Sequence, residues 1–486
     1  MKKTRILLTA CIVALGMAGF SSCQKTDDPK KDDSKTDEKV DPKPGDDDTK
    51  KAKYTLMIYG CGGGNLDYKF TYFEEILDAL NATKENVRVT YMFSTSSNED
   101  KWRDSYPFEK STTYRYELNS ETDVEHLEKY KFADASKVKL YSAATLSEYI
   151  KWAAQTAPAE NYVLMFQDHG GGFTVNKETL TKGVLYDDNQ VDGEGDSIPL
   201  SSLSTAEGLK QCGVKIKAIF YDACLMGSLE VLNEVAPYCD YVFACAHVSR
   251  ANNNIVPCLV QALATDGDFG KIALQHKSIY EEKFAPIYKD KHENCDLVCW
   301  RTAKLGAINE QVKLLAAFLK NNYKGEGIET IDGCTRSVYL FEKGRPYIDL
   351  LNYAGMLSGT FTESTELDKL YKNLEKAIKD AVVYNISLNN LHLADNPDTG
   401  KEGEAVFTGE QFSVSICSIA QSDWRYKYID SNYKLSAFHK ATLWGDWLNV
   451  NNMSVTYKGA TNPCNDSSWE DFYIIDDDDD DDDDEE

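Results

Sequence analysis

From residue 54 onward, short continuous apolar runs alternate with stretches whose apolar positions recur at helical spacing. Tyr54-Thr55-Leu56-Met57-Ile58-Tyr59 is the first run, ended by Gly60 and the glycines at 62 to 64. Phe73, Ile76, Leu77 and Leu80 then repeat as one face of a helix. Further runs predict strands over 87–93, 162–166, 216–221 and 241–246, separated by helical patterns over 146–157, 200–211 and 225–235. Strands that are apolar throughout, rather than at alternate positions, belong to a parallel sheet covered on both faces. The class this implies is α/β, a mostly parallel central sheet with helices on both faces. Beyond residue 250 the pattern is less regular. Helices are predicted over 270–286, 303–322 and 364–384 and a strand near 411–418, which we read as helices on the sheet plus a smaller C-terminal subdomain.

The two ends lie outside this pattern. Lys2, Lys3 and Arg5 precede an apolar stretch from Ile6 to Phe20, too short for a span of about 20 apolar residues. The stretch closes on Phe20-Ser21-Ser22-Cys23, which resembles a bacterial lipobox and implies removal of residues 1–22 and lipid on Cys23. With Gln24 next, and Lys25 followed by acidic residues, the expected location is the outer membrane, facing the periplasm or the cell surface. Up to residue 53 the chain is Lys, Asp, Thr, Ser and Pro, with too little apolar surface to offset its ordering entropy, hence a tether. Residues 476–486 are all acidic and should repel one another.

Composition narrows the function. The formal net charge is −26, which argues against nucleic acid as a partner. There are 13 cysteines. Without Cys11 in the signal and Cys23 on lipid the remainder is odd, so at least one thiol stays free or pairs outside the chain. No Cys-x-x-Cys pair occurs, and no zinc site or other metal centre is expected.

In an open parallel sheet, ligand sites form beyond the carboxyl ends of the strands. The run at 162–166 leads into Gln167-Asp168-His169-Gly170-Gly171-Gly172, and the run at 216–221 into Asp222-Ala223-Cys224-Leu225-Met226-Gly227. Adjacent strands would therefore bring an imidazole and a thiol to one rim. A free thiol, with a pKa of about 8.5, is only slightly ionised at neutral pH, and a His beside it favours the thiolate. Cys224 is also expected at the start of a helix, where unpaired N–H groups would add to that effect. The amides of Gly170 and Cys224 are candidate oxyanion donors.

His169-Gly170 followed by Asp222-Ala223-Cys224-Leu225-Met226-Gly227 resembles the clostripain family of cysteine peptidases, in the clan shared with caspases, legumains, gingipains and separase. Gly183-Val184, Asp187-Asp188, Asn65-Leu66 and Leu229-Glu230 match as well, so the likeness covers about 54–250. The resemblance implies a caspase-like αβα sandwich with its peptidase core over 54–330, a C-terminal part over 331–475, and protein or peptide substrates. It implies Cys224 as nucleophile, His169 as base and acid, and Asp222 and Asn65 at the substrate site, with Asp222 recognising Arg or Lys. It also implies self-cleavage after a basic residue between the motifs, where Lys177 and Lys182 lie. No cofactor is required. Calcium is an option, with Asp187, Asp188, Asp192, Glu194 and Asp196 as oxygen donors, although EF-hand spacing is lacking. A monomer is expected.

One stretch departs from the family. Cys245-Ala246-His247-Val248-Ser249-Arg250-Ala251-Asn252-Asn253-Asn254 has no carboxylate and carries Arg250, where further acidic or small pocket residues are common. We read His247 as a surface-loop residue. Two rivals stay open: the same peptidase with a non-basic pocket, and a catalytically silent surface lipoprotein that uses the fold for binding.

Overall fold

The architecture is described from a computed structural model, which defines residues 51–452 apart from 64, 84, 99–101, 104, 174–182, 194, 248, 250–253, 289–294, 339–340, 342–346, 389–392, 395–403, 406–413 and 418–432. The lipidation site Cys23, the tether, Lys177, Lys182, Arg250 and the acidic tail lie outside the described residues.

The apolar runs form the predicted strands. In chain order, β1 (Ala52–Cys61), α1 (Phe73–Ala82) and β2 (Val87–Ser94) are followed by β3 (Thr112–Leu118) and β4 (Lys131–Asp134). Next come α2 (Ala143–Thr156), β5 (Ala159–Gln167), the hairpin β6 (Val184–Val191) and β7 (Ser197–Leu200), and α3 (Ser202–Cys212). After these are β8 (Ile216–Asp222), α4 (Leu229–Val235), β9 (Cys239–Ala244), α5 (Val256–Leu263), α6 (Phe269–Tyr288), β10 (Cys295–Arg301) and α7 (Leu305–Asn322). The C-terminal part holds α8 (Glu326–Ser337), β11 (Tyr347–Asp349), α9 (Leu350–Thr360), α10 (Thr365–Ala381), β12 (Val382–Leu388) and two closing helices, Ala437–Thr442 and Trp444–Asn452.

The main sheet has the order β12-β10-β9-β8-β5-β1-β2-β3-β4. Its five central strands run parallel, and antiparallel pairs close both sides: β10 and β12 beyond β9, β3 and β4 beyond β2. The central strands carry no alternation because both faces are buried. Ile219 and Tyr221 of β8 pack with α2, α3, α4 and α7, whereas Ala218 and Phe220 pack with α5 and α6. This is the αβα sandwich that the sequence implies. The antiparallel edges could not be read from periodicity, since β3 and β10 are interrupted by polar residues. The described parts of α8–α10 and the closing helices share a core with α7 and α4.

One local expectation fails. A helix starting at Leu225 is not formed; Leu225 has φ +62, and α4 begins at Leu229, capped by the Ser228 side chain on the Val231 N–H. The left-handed Leu225 turns the chain away from helical geometry. Cys224 therefore sits in a turn, without the helix terminus expected to favour its thiolate.

Ile219 is fully buried at mid-strand in the centre of the sheet. Ile219→Ala should lower stability by about 2–5 kcal/mol, read from urea unfolding with an unchanged m-value.

Candidate active site

The rim of the sheet is set by register. β5 pairs in parallel with β8, with Gln167 opposite Asp222, so the two chain segments leave the sheet together. Side chains then alternate between the two faces. Gln167 points to one face, where its Nε2 donates to Asp222 Oδ2 at 3.0 Å. Asp168 points to the other, where its Oδ2 accepts from the Cys61 thiol at 2.9 Å and from the Tyr186 N–H. His169 comes back to the first face, beside the loop after β1.

Asn65 holds the imidazole there, its Oδ1 lying 2.9 Å from His169 Nε2, and the Gly63 backbone bonds the ring as well. Gly63 has to be glycine: a Cβ would stand 2.4 Å from the Tyr186 carbonyl. Burial pushes the His169 pKa down to about 4, and the nearby Lys69 ammonium adds to the shift, while the Gly63 hydrogen bond opposes it. The net effect favours the neutral imidazole.

Gly170 brings the two strands' extensions into contact, since a Cβ on it would lie 2.2 Å from the Cys224 carbonyl and 2.9 Å from its nitrogen. On its other side Gly170 faces Val184 of β6 as an antiparallel bridge. The flanking hydrogen bonds, Gly171 N–H to Gly183 and Leu185 N–H to His169, make this the non-hydrogen-bonded type of pair, so Gly170's own N–H points away from β6. Its N–H is therefore not used in pairing with β6.

The Cys224 turn is laced to the loop after β9. Leu225 N–H donates to the His247 carbonyl at 2.9 Å and Gly227 N–H to the Cys245 carbonyl at 2.7 Å. The half-buried Cys224 thiol accepts from the Ser249 N–H at 3.3 Å. His247 is not a surface residue. It is buried, its Nδ1 lies 2.9 Å from Asp296 Oδ1, and Asp296 also accepts from the N–H groups of Ala246 and His247. Burial alone would raise the Asp296 pKa; the His247 charge and these hydrogen bonds outweigh it and hold the carboxyl below its ordinary range. So β10 supplies the carboxylate that the loop itself lacks. Tyr347, from β11, steadies the His169 segment, its hydroxyl oxygen accepting from the Phe173 N–H at 2.8 Å.

Asp222 is buried and its Oδ2 also takes the Lys69 ammonium at 2.9 Å. Sequence reasoning missed Lys69, Asp296 and Tyr347. Only Lys69 left a trace, as a charge inside the aromatic run Tyr68-Lys69-Phe70. The acidic residues considered for calcium do not gather: Asp187 bonds Asn189, Asp188 bonds Ser96 and Ser97, and Asp192 accepts from the Asp196 N–H. Among the described residues no group of three or more potential ligands could hold a metal ion, and Glu194 lies outside them. The described donors are spent on backbone and side-chain partners rather than gathered for calcium. Eight described cysteines, Cys224 among them, are thiols rather than members of a disulfide.

Comparison with known proteins defines the class as a cysteine peptidase. The chain belongs to the clostripain family, whose model matches residues 59–450. Clostripain of Hathewaya histolytica is 23% identical over 444 residues, covering 80% of this chain and 82% of that protein. A secreted C11 cysteine protease of Bacteroides thetaiotaomicron shares the fold with a TM-score of 0.55 at 14% identity, covering 81% of this chain and 99% of that one. An inactive zymogen C11 protease of Parabacteroides distasonis does so with a TM-score of 0.54 at 15% identity, with the same coverage of both chains.

The geometry makes two outcomes measurable. Gly170→Ala should fold yet lose about a hundredfold or more in kcat/KM, because the new methyl group pushes the His segment off the Cys224 turn and disturbs the oxyanion donor. For pH, the folded His169 value lies below the ~6.5 of an unfolded His, so the unfolded chain takes up the proton first as pH falls. The contribution to stability is therefore complete above about pH 6.5 and is lost progressively towards pH 4. With His169 as base, the acid limb of kcat/KM should fall near pH 4, measured on a small peptide substrate.

Proposed function

We propose that Cys224 and His169 act as a catalytic dyad in a lipid-anchored, extracytoplasmic endopeptidase. The observation that carries this reading is the β5–β8 register, which ends both strands level and sets Gly170 against the Cys224 backbone. His169 takes the thiol proton as the Cys224 sulfur attacks the scissile carbonyl, and the Gly170 and Cys224 amides receive the oxyanion. The imidazolium then gives its proton to the leaving amine. Water, deprotonated by the same imidazole, hydrolyses the thioester and restores the thiol. Asn65 acts by orienting the ring.

Sequence alone supports the outer assignments. Lipid on Cys23 ties the protein to the outer membrane, and no described helix is long and apolar enough to cross a membrane. Cleavage after Lys177 or Lys182 activates the precursor. Two pockets suit this machinery. The family pattern gives one, with Asp222 receiving Arg or Lys; the Lys69–Asp222 ion pair favours the other, in which the preceding residue is not basic.

The test is an acyloxymethyl-ketone peptide probe on the full-length protein and on Cys224→Ala, with mass spectrometry of the labelled residue and of internal cuts. Labelling of Cys224, peptide turnover that vanishes in the variant, and a cut after Lys177 or Lys182 are the expected results. An unreactive Cys224 with no turnover of any peptide would overturn the reading in favour of the binding lipoprotein. An intact chain with full activity would remove the activation step.

A further inference from the structure

Lysine is almost never fully buried unless it is paired. Lys69 is 4% exposed, and its partner Asp222 is 1% exposed. The lysine sits in a short turn, Asp67–Phe70, that directly follows the β1 loop and is fixed on both sides. Phe70 stacks on Phe93 with ring centroids 4.1 Å apart, and Asp67 accepts from the Ser96 N–H at 3.0 Å. The ammonium therefore has little freedom to leave.

We propose that Lys69 is the specificity-determining residue of this peptidase: its ammonium satisfies the Asp222 carboxylate from inside the fold, so the side chain preceding the scissile bond is uncharged rather than Arg or Lys. The inference rests on the peptidase reading given above.

Recognition of a guanidinium by a carboxylate gains most from two parallel hydrogen bonds with a full, uncompensated negative charge. Here Oδ2 already accepts from both Lys69 and Gln167, and the ion pair sums to zero. A substrate cation approaching Asp222 would meet the Lys69 charge at short range. Cys245, Ala246, His247, Ser249 and Asn254, the described residues of the facing loop, contribute no carboxylate, and Asp296 is engaged by Ala246 and His247. Two buried oxygens remain, Asp222 Oδ1 and Gln167 Oε1, with no hydrogen-bond partner among the described residues. Two acceptors beside a neutralised charge suit an uncharged side chain that donates a hydrogen bond, the carboxamide of Asn or Gln above all.

The experiment profiles peptides that differ only in the residue before the cut, Arg, Lys, Asn, Gln or Ala, with the full-length wild type and with Lys69→Gln. The wild type should favour Asn or Gln over Arg by about tenfold or more in kcat/KM, and Lys69→Gln should reverse the order. Agmatine, a guanidinium probe, should raise the melting temperature of Lys69→Gln and leave the wild type unmoved, a readout independent of turnover. Wild-type preference for Arg or Lys overturns the proposal while leaving the peptidase reading intact, and so does a Lys69→Gln profile identical to that of the wild type. If Lys69→Gln does not fold, the uncharged pair Lys69→Met with Asp222→Asn decides: retained rejection of Arg supports the proposal, and gained cleavage after Arg sinks it. Failure of the peptidase reading looks different, as an unlabelled Cys224 and silence on every peptide.

Discussion

The parallel pairing of β5 with β8 is the constraint on which the rest of the rim depends. It forces two segments far apart in sequence to leave the sheet at one level, because Gln167 and Asp222 are register partners. Once that is fixed, the alternation of side chains decides the roles. Gln167 and Asp222 fall on one face, Asp168 is sent to the other, and His169 returns to the side on which Cys224 emerges. Glycine at 170 then sets how closely the two extensions approach, since a Cβ there would force them apart. The hairpin of β6 and β7 belongs to the same logic: it lies along the His segment and gives that irregular stretch backbone partners that the main sheet cannot supply.

Around this frame the fold buries more charge than an apolar core would. Lys69 with Asp222, Asp168 with Cys61, and His247 with Asp296 form three polar pairs at the carboxyl edge of the sheet. Removing such groups from water is costly, and replacement by apolar residues is often neutral or stabilising, so stability does not account for them. Their partners do. Asp168 fixes the segment that carries His169, Asp296 fixes the loop that laces the Cys224 turn, and Lys69 fixes Asp222. The first two restrain backbone segments that have no regular secondary structure of their own, and the third ties the Asp67–Phe70 turn to the end of β8. The C-terminal part works in the same direction, with Tyr347 bonded to Phe173 and Tyr433 to Glu230 of α4.

The legibility of each feature in the sequence depends on the range of the interaction behind it. The parallel strands, the helices that pack directly on them and the pair His169 and Cys224 announce themselves in local apolar runs and in the residues just after each run. The antiparallel edges are silent, because β10 and β12 meet across more than eighty residues and their pattern is not distinctive. The Cys224 turn imitates a helix start: Leu225, Met226 and Leu229 have helical spacing, but the turn is fixed by hydrogen bonds to residues 245 and 247, which no local pattern encodes. His247 has the look of a loop residue for the same reason, its partner Asp296 lying on a strand that periodicity does not reveal. Asp222 stands out through its neighbours in sequence, Lys69 only through the fold.

The strand order has one more consequence. β5 lies between β1 and β8, so everything before the β5–β6 connection forms one side of the sheet and everything after it supplies the other. A break in the backbone between Phe173 and Gly183 would separate the chain into two polypeptides that share a continuous parallel sheet and two common cores. The β5–β8 ladder would then be a subunit interface in all but origin. Such a molecule would still migrate as one particle under native conditions, and it would come apart only when the sheet itself unfolds.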